Sequence, residues 1–380
     1  MIDCVILGGG VIGCALAREL ARCGARVTLL EARSGVALAA SGAAIGTLSY
    51  SPSAEMPEAW HRLAAPALAA HRALAAELAT EISAPPAWHW PGRLNVVTTN
   101  EAEKYSRARL KADIAALDPA EAQRAAWQWL DKKPLHELEP ALGPKAQGAS
   151  VNPGMGWVDG AHLTRALADA ARQYGATILQ NSAVERLLWE GGRVVGALMG
   201  ERAVRAAAVI VAAGAWSSHL EPRLALPVEP VRGQALHIDL SDIGLTLPLI
   251  RHLIGGEGIY LIPEGTGVAV GSTHERVGFQ EGLTVGGISK LLSRATKLLP
   301  ALEAAAWSRV RLWSGLRPTT PDTLPILGPD PRAPGLWWAT GHFRSGILLA
   351  PITAALLAGS ILEGTPLDER LSVARFTQEG

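Results

Sequence analysis

The stretch IDCVILGGGVIG, residues 2–13, decides the fold of this chain. Its first half, Ile2 to Leu7, is a run of mostly aliphatic side chains and predicts a buried strand of a parallel sheet. Its second half fits the pattern GxGxxG. The residues from Val11 to Cys23 have helical spacing of apolar side chains, and Gly24 is a typical end for that helix. Strand, glycines and helix in this order are typical of a nucleotide-binding turn.

Each glycine of the pattern has a physical role. Gly8 permits the tight turn, Gly10 lets the backbone approach a pyrophosphate, and Gly13 lets the helix lie close to the strand. The N–H groups at the helix N-terminus are available to phosphate oxygens. A second strand, Arg26 to Leu30, ends at Glu31, whose carboxylate can accept hydrogen bonds from an adenosine ribose. The pattern predicts a dinucleotide site, against the alternative of an ordinary βαβ unit that binds nothing.

The charge balance of the chain excludes several classes of protein. Its 380 residues include 35 Lys and Arg and 35 Asp and Glu, so the formal net charge is zero. There is no surplus of basic side chains to attract nucleic acid or an anionic membrane surface. A hydrophobic fraction of 48% fits an enzyme with a well-filled interior. We predict that the chain acts on small molecules and does not bind nucleic acid.

The cysteines and the apolar segments indicate a cytoplasmic location. Cys4, Cys14 and Cys23 all lie in the first βαβ unit, and their spacing gives neither a metal site nor a disulfide framework. The first strand begins at the N-terminus, so we expect no targeting segment. The apolar stretch Ile347 to Leu362 is interrupted by Pro351 and falls below the ~18 residues that a membrane-spanning helix needs. We expect a buried helix there and no transmembrane segment.

Two kinds of sheet are predicted from the later strands. Ala208 to Ala213 is apolar throughout and ends at Gly214, which is typical of a parallel strand whose carboxyl end touches a nucleotide. Alternating strands from Leu226 to Leu312 predict a mostly antiparallel sheet. We predict an α/β (α+β) fold in which a Rossmann-type nucleotide domain contains an inserted substrate domain. The predicted nucleotide domain spans residues 1–84, 145–220 and 316–380, and the predicted substrate domain spans residues 85–144 and 221–315.

Helices are predicted between these strands. Apolar spacing indicates helices over Pro57 to Ile82, Glu101 to Leu117, Ala120 to Leu130 and Ile288 to Leu299. The last helix, Ile347 to Leu362, follows the glycine-bracketed polar loop Gly341 to Gly346. The N-terminus of that helix carries a partial positive charge that favours an anionic ligand.

Three side chains are candidates for binding a substrate. Arg317 lies between a predicted strand and Pro318, and its planar fork suits a carboxylate; a salt-bridged structural arginine is the alternative. Tyr260 is in the middle of a predicted strand, where a core or edge tyrosine is the alternative. Arg344 precedes a helix N-terminus, where its charge and the helix dipole would stabilise an anion. His342, in the same loop, either acts in the site or orders the loop.

The order of these motifs resembles the D-amino-acid-oxidase-like family of FAD-dependent amine oxidoreductases, and within it the glycine-oxidase-like proteins. The resemblance covers nearly the whole chain. It rests on residues 7–13 with Glu31 and on residues 41–46, 211–216 and 256–271. Its most specific part is WSGLRP, residues 313–318, followed by GHFRSGILLAP, residues 341–351.

The resemblance implies one FAD, bound without a covalent link, because residues 314–318 lack the cysteine that carries the flavin in related sarcosine oxidases. The nucleotide pattern and the resemblance together give the expected FAD contacts. These are Gly8, Gly10, Val11, Ile12, Gly13, Glu31, Ala32, Arg33, Ser41, Gly42, Gly46, Val184, Ala213, Gly214, Trp216, Gly341, His342, Phe343, Arg344, Ser345, Gly346, Ile347 and Leu348. The resemblance also implies that Tyr260, Arg317 and Arg344 contact the substrate.

The activity that the resemblance implies is oxidative deamination of glycine and other small amines, such as sarcosine and small D-amino acids. Hydride transfer to the flavin would give an imine, then a 2-oxo acid and ammonia, and dioxygen would become hydrogen peroxide. The expected partners are thus a small amine and dioxygen. The resemblance also implies a homo-oligomer and a place in thiamine biosynthesis. No metal is expected.

Three other readings of the same sequence remain. An amino-acid dehydrogenase that passes electrons to a quinone or a partner subunit, as in hydrogen cyanide synthase, would carry the same motifs. A non-catalytic flavin-binding regulator would not need Arg317 and Tyr260. A nicotinamide-dependent dehydrogenase would share GxGxxG and Glu31, but the loop before the last helix argues against it, since it adds a second helix end facing the ligand.

Overall fold

The computed structural model describes residues 2–50, 57–117, 125–241 and 249–376. Within these ranges the strands form two eight-stranded sheets and one three-stranded sheet. The helices are α1 (Val11–Arg22), α2 (Glu58–Ala64), α3 (Ala67–Glu81), α4 (Asn100–Ala115), α5 (Lys132–Leu138), α6 (Gly160–Gln173), α7 (Val285–Leu298) and α8 (Gly346–Glu363).

The strands are numbered in chain order. The first nine are β1 (Ile2–Leu7), β2 (Val27–Leu30), β3 (Thr47–Leu48), β4 (Trp88–His89), β5 (Arg93–Val97), β6 (Gln128–Asp131), β7 (Gly148–Asn152), β8 (Gly156–Val158) and β9 (Thr177–Leu179). The others are β10 (Arg186–Glu190), β11 (Arg193–Met199), β12 (Arg202–Val211), β13 (Glu229–Ile238), β14 (Leu253–Gly256), β15 (Ile259–Glu264), β16 (Gly267–Gly271), β17 (Val310–Thr319), β18 (Ile326–Pro329) and β19 (Leu336–Thr340).

The first sheet confirms the predicted nucleotide-binding topology. Its order is β10-β11-β12-β1-β2-β9, and β19 lies beside β12 with β18 outside it. The pairs β12–β1, β1–β2, β2–β9 and β12–β19 are all parallel. Helix α1 packs against α6 and α8 on one face of this sheet. Side chains such as Val5, Val209 and Trp338 fill the opposite face.

The second sheet is mostly antiparallel, as predicted. Its order is β17-β13-β16-β15-β14-β5-β7-β6, and β14–β5 is its parallel pair. Helix α7 covers one face, where Leu291, Ala295 and Leu298 pack in one core cluster with Leu236 and Val270. Two strands of this sheet do not fit the predicted domain boundaries: β7 lies wholly in the range given to the nucleotide domain, and β17 continues past residue 315. The boundaries stay a prediction.

One of the predicted helices is confirmed in two parts, and another was partly wrong. The segment Pro57 to Ile82 is helical as predicted, and it is divided into α2 and α3 at Pro66 because proline has no N–H to continue the helical ladder. Part of the predicted helix Ala120 to Leu130 lies outside the described residues. Its end, Gln128 to Leu130, belongs to strand β6 and pairs with β7. Cross-strand pairing thus overrides a helix-favouring composition there.

The surroundings of Arg317 also differ from the prediction. The residue lies inside the ten-residue strand β17 and not in the turn after a strand. Strand β17 is at the edge of its sheet, where Pro318 is tolerated because one side of the strand needs no ladder hydrogen bonds.

Helix α8 is longer than predicted and carries Pro351 inside it. Its 18 residues are long and apolar enough to cross a membrane by length and composition, and the search of the described residues found this one such helix. Core helices pass the same test, and α8 packs against α1 and α3. The prediction that this helix is too short to span a membrane was therefore wrong. The predicted burial is confirmed for one face of the helix, which includes Leu349, Leu357 and Ala358.

His71 repairs the hydrogen bonding that Pro351 disrupts. The carbonyl of Ile347 would receive its helical hydrogen bond from residue 351, and proline has no N–H to give. The fully buried His71 fills this place: its Nε2–H donates to Ile347 O at 2.9 Å and lies 3.2 Å from Leu348 O. Its Nδ1 accepts from Trp88 Nε1 at 3.2 Å. The imidazole is thus neutral, with its proton on Nε2.

Burial of His71 predicts a loss of stability in acid. Desolvation lowers the pKa of His71 from its usual value of 6.5 to about 4, so the unfolded chain binds the proton first as the pH falls. Stability from this group is complete above pH 6.5 and is lost toward pH 4. Between pH 7 and pH 5 we expect the free energy of unfolding to fall by about 2 kcal/mol through His71.

Urea unfolding of wild type and His71→Gln at both pH values measures this effect. Glutamine keeps a donor and an acceptor but does not titrate, so the variant should lose that part of the pH dependence. His342, whose pKa burial lowers to about 3, and His274, whose pKa burial also lowers, contribute to the pH dependence that remains. Equal pH dependence in the two proteins would contradict the assignment.

Candidate active site

A cavity of about 860 Å³ lies between the first and second sheets and is lined by both. Its size is within the range of ligand pockets. The structure brings most of the predicted site residues to its wall. These are Gly8, Gly10, Val11, Ile12, Glu31, Ala32, Arg33, Ser41, Gly46, Val184, Ala213, Gly214, Trp216, Tyr260, Arg317, His342, Phe343, Arg344, Ser345, Gly346, Ile347 and Leu348.

Three predicted residues lie outside the cavity lining and occupy tight backbone positions instead. A Cβ on Gly13 would overlap the carbonyl oxygen of Gly8, and one on Gly42 would overlap that of Ala37. Gly341 has φ +79°, and a Cβ there would lie 2.6 Å from Thr320 Cγ2. These glycines shape the wall without forming it.

The turn after β1 leaves no room for a side chain at Gly8. Gly8 has φ +117°, and a Cβ there would lie 2.5 Å from the carbonyl oxygen of Ala212. The backbone N–H of Gly8 donates to Leu30 O at 2.8 Å, and that of Ala212 donates to Leu7 O at 2.9 Å. The carboxyl ends of β1, β2 and β12 therefore meet at one point, directly before the N-terminus of α1.

Glu31 is fixed at the edge of the cavity by two backbone groups. Its Oε2 accepts from Gly9 N at 2.6 Å and its Oε1 from Arg33 N at 2.7 Å. Each carboxylate oxygen keeps a further lone pair that can accept a hydrogen bond from a hydroxyl group. This geometry suits recognition of a ribose, as the sequence predicted.

Ser41 lies over the N-terminus of α1, where its Oγ accepts from Val11 N at 2.9 Å. The first turn of α1 contains no acidic side chain, so nothing there competes with an anionic ligand for the helix dipole. Together with the glycine turn and Glu31, this cradle fits FAD. Glu31 would hold its ribose, and the Gly8–Val11 turn with Ser41 would hold its pyrophosphate.

The loop before α8 forms the opposite end of the cavity. His342 is buried, and its Nε2 lies 3.0 Å from Thr353 Oγ1. Burial lowers the pKa of His342 to about 3, so the ring stays neutral and ties the loop to α8. Phe343 N donates to Pro318 O at 2.7 Å, which joins the loop to β17. Of the two sequence readings of His342, this contact matches the loop-ordering one.

Tyr260 and Arg317 converge on Ser272. The Tyr260 hydroxyl lies 3.4 Å from Ser272 Oγ, and Arg317 Nη2 donates to the same oxygen at 2.7 Å. Arg317 Nη1 donates to Thr273 O at 3.1 Å, and no described carboxylate pairs with this guanidinium. Burial first, and then the nearby positive charge of Arg344, lower the pKa of Arg317. The guanidinium remains charged, so its charge is only partly compensated.

Charge is unevenly distributed along the cavity. Among the lining residues the carboxylates are Glu31 and Glu185, at the nucleotide end. The opposite end contains Arg93, Arg317 and Arg344. An anion entering there meets fixed positive charge that described acidic residues do not neutralise.

Sequence reasoning missed several lining residues near this end, among them Ser49, Trp60, Arg93 and Ser272. A signal existed for Arg93. In the predicted strand from Arg93 the residues Leu94 and Val96 are buried, and the alternate positions face the other side. Arg93 in β5 and Tyr260 in β15 both alternate with buried apolar side chains, so both face away from the core. The sequence alone did not show that the two strands share a sheet.

Comparisons with known proteins give a family of FAD dependent oxidoreductases. The family profile described as DAO, FAD dependent oxidoreductase, matches residues 3–360. The bifunctional protein ThiO/ThiG of Trichormus variabilis is 36% identical over 380 residues, covering 99% of this chain and 55% of that protein. The chain thus spans about half the length of the bifunctional relatives.

Two further relatives match over nearly their whole length. A glycine oxidase of Geobacillus kaustophilus is 35% identical and covers 94% of this chain and 92% of that protein. The hydrogen cyanide synthase subunit HcnC of Pseudomonas aeruginosa is 32% identical and covers 99% and 97%.

Solved structures are similar over the same extent. The glycine oxidase of Geobacillus kaustophilus has a TM-score of 0.88 at 32% identity, with 98% of each chain covered. An iminodiacetate oxidase from Chelativorans has a TM-score of 0.86 at 27% identity, with 97% of this chain and 98% of that chain covered.

The cavity predicts that bound FAD carries no thioether link. Cys4 and Cys14 are buried, Cys23 is exposed, and none of the three is in the cavity wall. Acid precipitation of the yellow protein should therefore release all colour to the supernatant. A mock-precipitated sample of free FAD is the control, and colour retained in the washed pellet would contradict the prediction.

Proposed function

The chain belongs to the DAO family of FAD dependent oxidoreductases, and we propose that it oxidises small amino acids and amines, glycine among them, to 2-oxo acids and ammonia. The observation that carries the proposal is the pair Arg317 and Arg344 beside Tyr260, which forms no ion pair with a described carboxylate. The pair lies at one end of a cavity whose other end fits a nucleotide. The printed names of the relatives, which include oxidases of glycine and of iminodiacetate, support the same class of substrate.

Carboxylate binding is the first role that we assign to these residues. A buried charge without a partner is costly, and a substrate carboxylate would compensate Arg317 through two parallel hydrogen bonds. The hydroxyl of Tyr260 lies close to the same oxygen, Ser272 Oγ, and can donate a further hydrogen bond. Two fixed contacts on one carboxylate hold the α-carbon in a defined place, which is the orientation that the reaction requires.

A bound FAD would supply the two-electron acceptor that takes hydride from the α-carbon and returns the electrons to dioxygen. The chain's own contribution is electrostatic. Arg344 and the N-terminus of α8 provide positive charge where the reaction creates negative charge. The Arg344 guanidinium lies over the ring of Phe343, 5.3 Å from its centroid, which restrains its position.

No general base is present at this end among the cavity-lining residues. The titratable groups there are Tyr260 and the three arginines, and His342 is hydrogen-bonded to Thr353 of α8 and stays neutral. We therefore propose that the substrate reacts with its amine already neutral. Water then hydrolyses the imine, so that glycine gives glyoxylate and ammonia, and dioxygen becomes hydrogen peroxide.

A second candidate function is supported by the similarity to the hydrogen cyanide synthase subunit over nearly both chains. In that case the electrons would pass to a quinone or a partner protein and not to dioxygen. The similarity to ThiO/ThiG proteins supports a place in thiamine biosynthesis. We also propose that the protein is cytoplasmic, forms a homo-oligomer, and has the nucleotide and substrate domains predicted from the sequence.

Two measurements on the purified yellow protein test it. Anaerobic glycine should bleach the flavin absorbance, and an oxygen electrode should then record consumption of dioxygen with release of hydrogen peroxide. Bleaching without oxygen consumption would favour the dehydrogenase. No bleaching by glycine, sarcosine, D-alanine or iminodiacetate would refute the proposed amine oxidation.

Replacement of Arg317 by lysine tests carboxylate recognition. Lysine keeps the charge but offers a point donor where arginine offers a fork, and the loss of a charged hydrogen bond costs roughly 1.5–3 kcal/mol. The KM for glycine should rise by about tenfold or more, while FAD stays bound. Arg202→Lys, an exposed position outside the cavity lining, is the matched control. An unchanged KM in Arg317→Lys would make Arg317 a structural residue.

The pH dependence of flavin reduction tests the absence of a base. With no protein base, the rate at each pH should follow the neutral fraction of the substrate amine, rising toward the pKa of that amine and then levelling. Arginine does not titrate in this range. Tyr260→Phe is measured alongside, so that the Tyr260 hydroxyl cannot contribute to the profile.

Anaerobic stopped-flow reduction by glycine isolates this step from the reaction with dioxygen. A rate at a fixed, subsaturating glycine concentration that is flat with pH, or that falls at alkaline pH in both proteins, would contradict the scheme. It would require an acid–base group that the cavity wall of the described residues does not contain.

A further inference from the structure

Arg93 is an arginine of the cavity wall to which the proposed function gives no role. It is the first residue of β5, and it lines the cavity together with Tyr260, Arg317 and Arg344. Its Nη1 donates to Ser49 Oγ at 3.2 Å. Its Nε is buried and has no hydrogen-bond partner, and no described carboxylate forms an ion pair with it. A structural arginine would be expected to have a hydrogen-bond partner for its Nε and a carboxylate as an ion-pair partner.

A glycine opposite Arg93 provides the space for its guanidinium. A Cβ on Gly255, in the neighbouring strand β14, would lie 2.7 Å from Arg93 Nη2 and 3.1 Å from Nε. The same arrangement recurs on this face of the sheet. Tyr260 lies over Gly271, where a Cβ would be 2.8 Å from its hydroxyl, and the Arg317 fork covers Gly233.

Two of these side chains, Arg93 and Tyr260, lie in one row across the sheet, and the Arg317 fork lies two residues further along β13, over Gly233. Gly255 pairs with Tyr260, and Tyr260 pairs with Gly271, so the Arg93 fork and the Tyr260 hydroxyl lie over strands β14 and β16 at the same register. Two strand spacings separate these positions by about 10 Å. One carboxylate would contact the Arg93 fork and another the Tyr260 hydroxyl, each at a hydrogen-bond distance of about 3 Å. Roughly 4 Å then remains between the two carboxylates, which is enough for a short link such as CH2–NH–CH2.

Electrostatic surroundings agree with an anion at Arg93. Burial lowers the pKa of Arg93, and the charge of Arg344 acts in the same direction. The guanidinium nevertheless stays protonated. Glycine has one carboxylate, which Arg317 and Tyr260 would use, so glycine leaves Arg93 uncompensated.

We propose, on the basis of the proposed amine oxidation, that Arg93 binds a second carboxylate of the substrate, so that the substrate class is small amines with a carboxylate on each side of the reacting C–N bond. Iminodiacetate is the simplest member. Its oxidation breaks one C–H bond and the N–H bond and leaves an imine. Hydrolysis of the imine gives one glyoxylate and one glycine, and the two electrons and two protons removed convert dioxygen to hydrogen peroxide.

Binding of two inert ethers tests the Arg93 contact without any reaction. Oxydiacetate has two carboxylates and methoxyacetate has one, and in both an ether oxygen replaces the amine. Titration of the FAD-bound protein by calorimetry should show oxydiacetate binding about tenfold or more tightly than methoxyacetate. In Arg93→Met this ratio should fall to about threefold or less.

Two other variants control for changes in folding. Arg93→Lys keeps the charge and loses the fork, so its ratio should be intermediate. Arg202→Met, outside the cavity lining, should keep the wild-type ratio. FAD content and thermal unfolding report whether each variant is intact. A wild-type ratio near one, or a ratio that Arg93→Met and Arg93→Lys both leave unchanged, would overturn the proposal.

Anaerobic flavin reduction separates this proposal from the proposed function. We expect the kcat/KM for iminodiacetate relative to glycine to fall about tenfold or more in Arg93→Met. Reduction by glycine with no preference for the second carboxylate would overturn the role of Arg93 and leave the proposed oxidation intact. An intact binding ratio with no reduction by either amine would overturn the oxidation and with it the substrate class, leaving Arg93 only as a dicarboxylate contact.

Discussion

The close approach of α1 to the ends of β1 and β12 is the constraint on which the site depends. The Gly8 carbonyl leaves no room for a Cβ at residue 13, and the Ala212 carbonyl leaves none at Gly8. This contact brings the N-terminus of α1 within reach of Ser41 and aligns the strand ends with Glu31. A side chain at either glycine would move the helix and open the cradle that suits a pyrophosphate.

The second end of the cavity depends on a hydrogen bond from His71 that replaces one lost at Pro351. Proline inside α8 leaves the Ile347 carbonyl without its helical donor, and His71 supplies one from α3. His342 ties the preceding loop to Thr353 of the same helix. Both imidazoles are buried and neutral, so they hold the N-terminus of α8 toward the cavity without adding charge. The positive charge beside it comes from the arginines alone.

Local sequence was sufficient for the first sheet and insufficient for the second. Glycines, a helix stop and an acidic strand end act over a few residues, so their positions could be predicted for β1, α1 and Glu31. The site on the second sheet is built across strands that are far apart in sequence, such as β5 and β15. Register between them depends on tertiary pairing, which is why Tyr260 was found by resemblance and Arg93 was missed.

Glycine has the same physical role at both ends of the cavity, although only one end shows a sequence pattern. In the first sheet it lets backbone approach backbone around Gly8. In the second it lets a long polar side chain lie across the neighbouring strand, as Arg317 does over Gly233 and Arg93 over Gly255. A side chain held flat in this way loses its rotamer freedom before the ligand arrives. The cost of ordering the forks is therefore met in folding, and the charge that remains uncompensated is available to bind an anion.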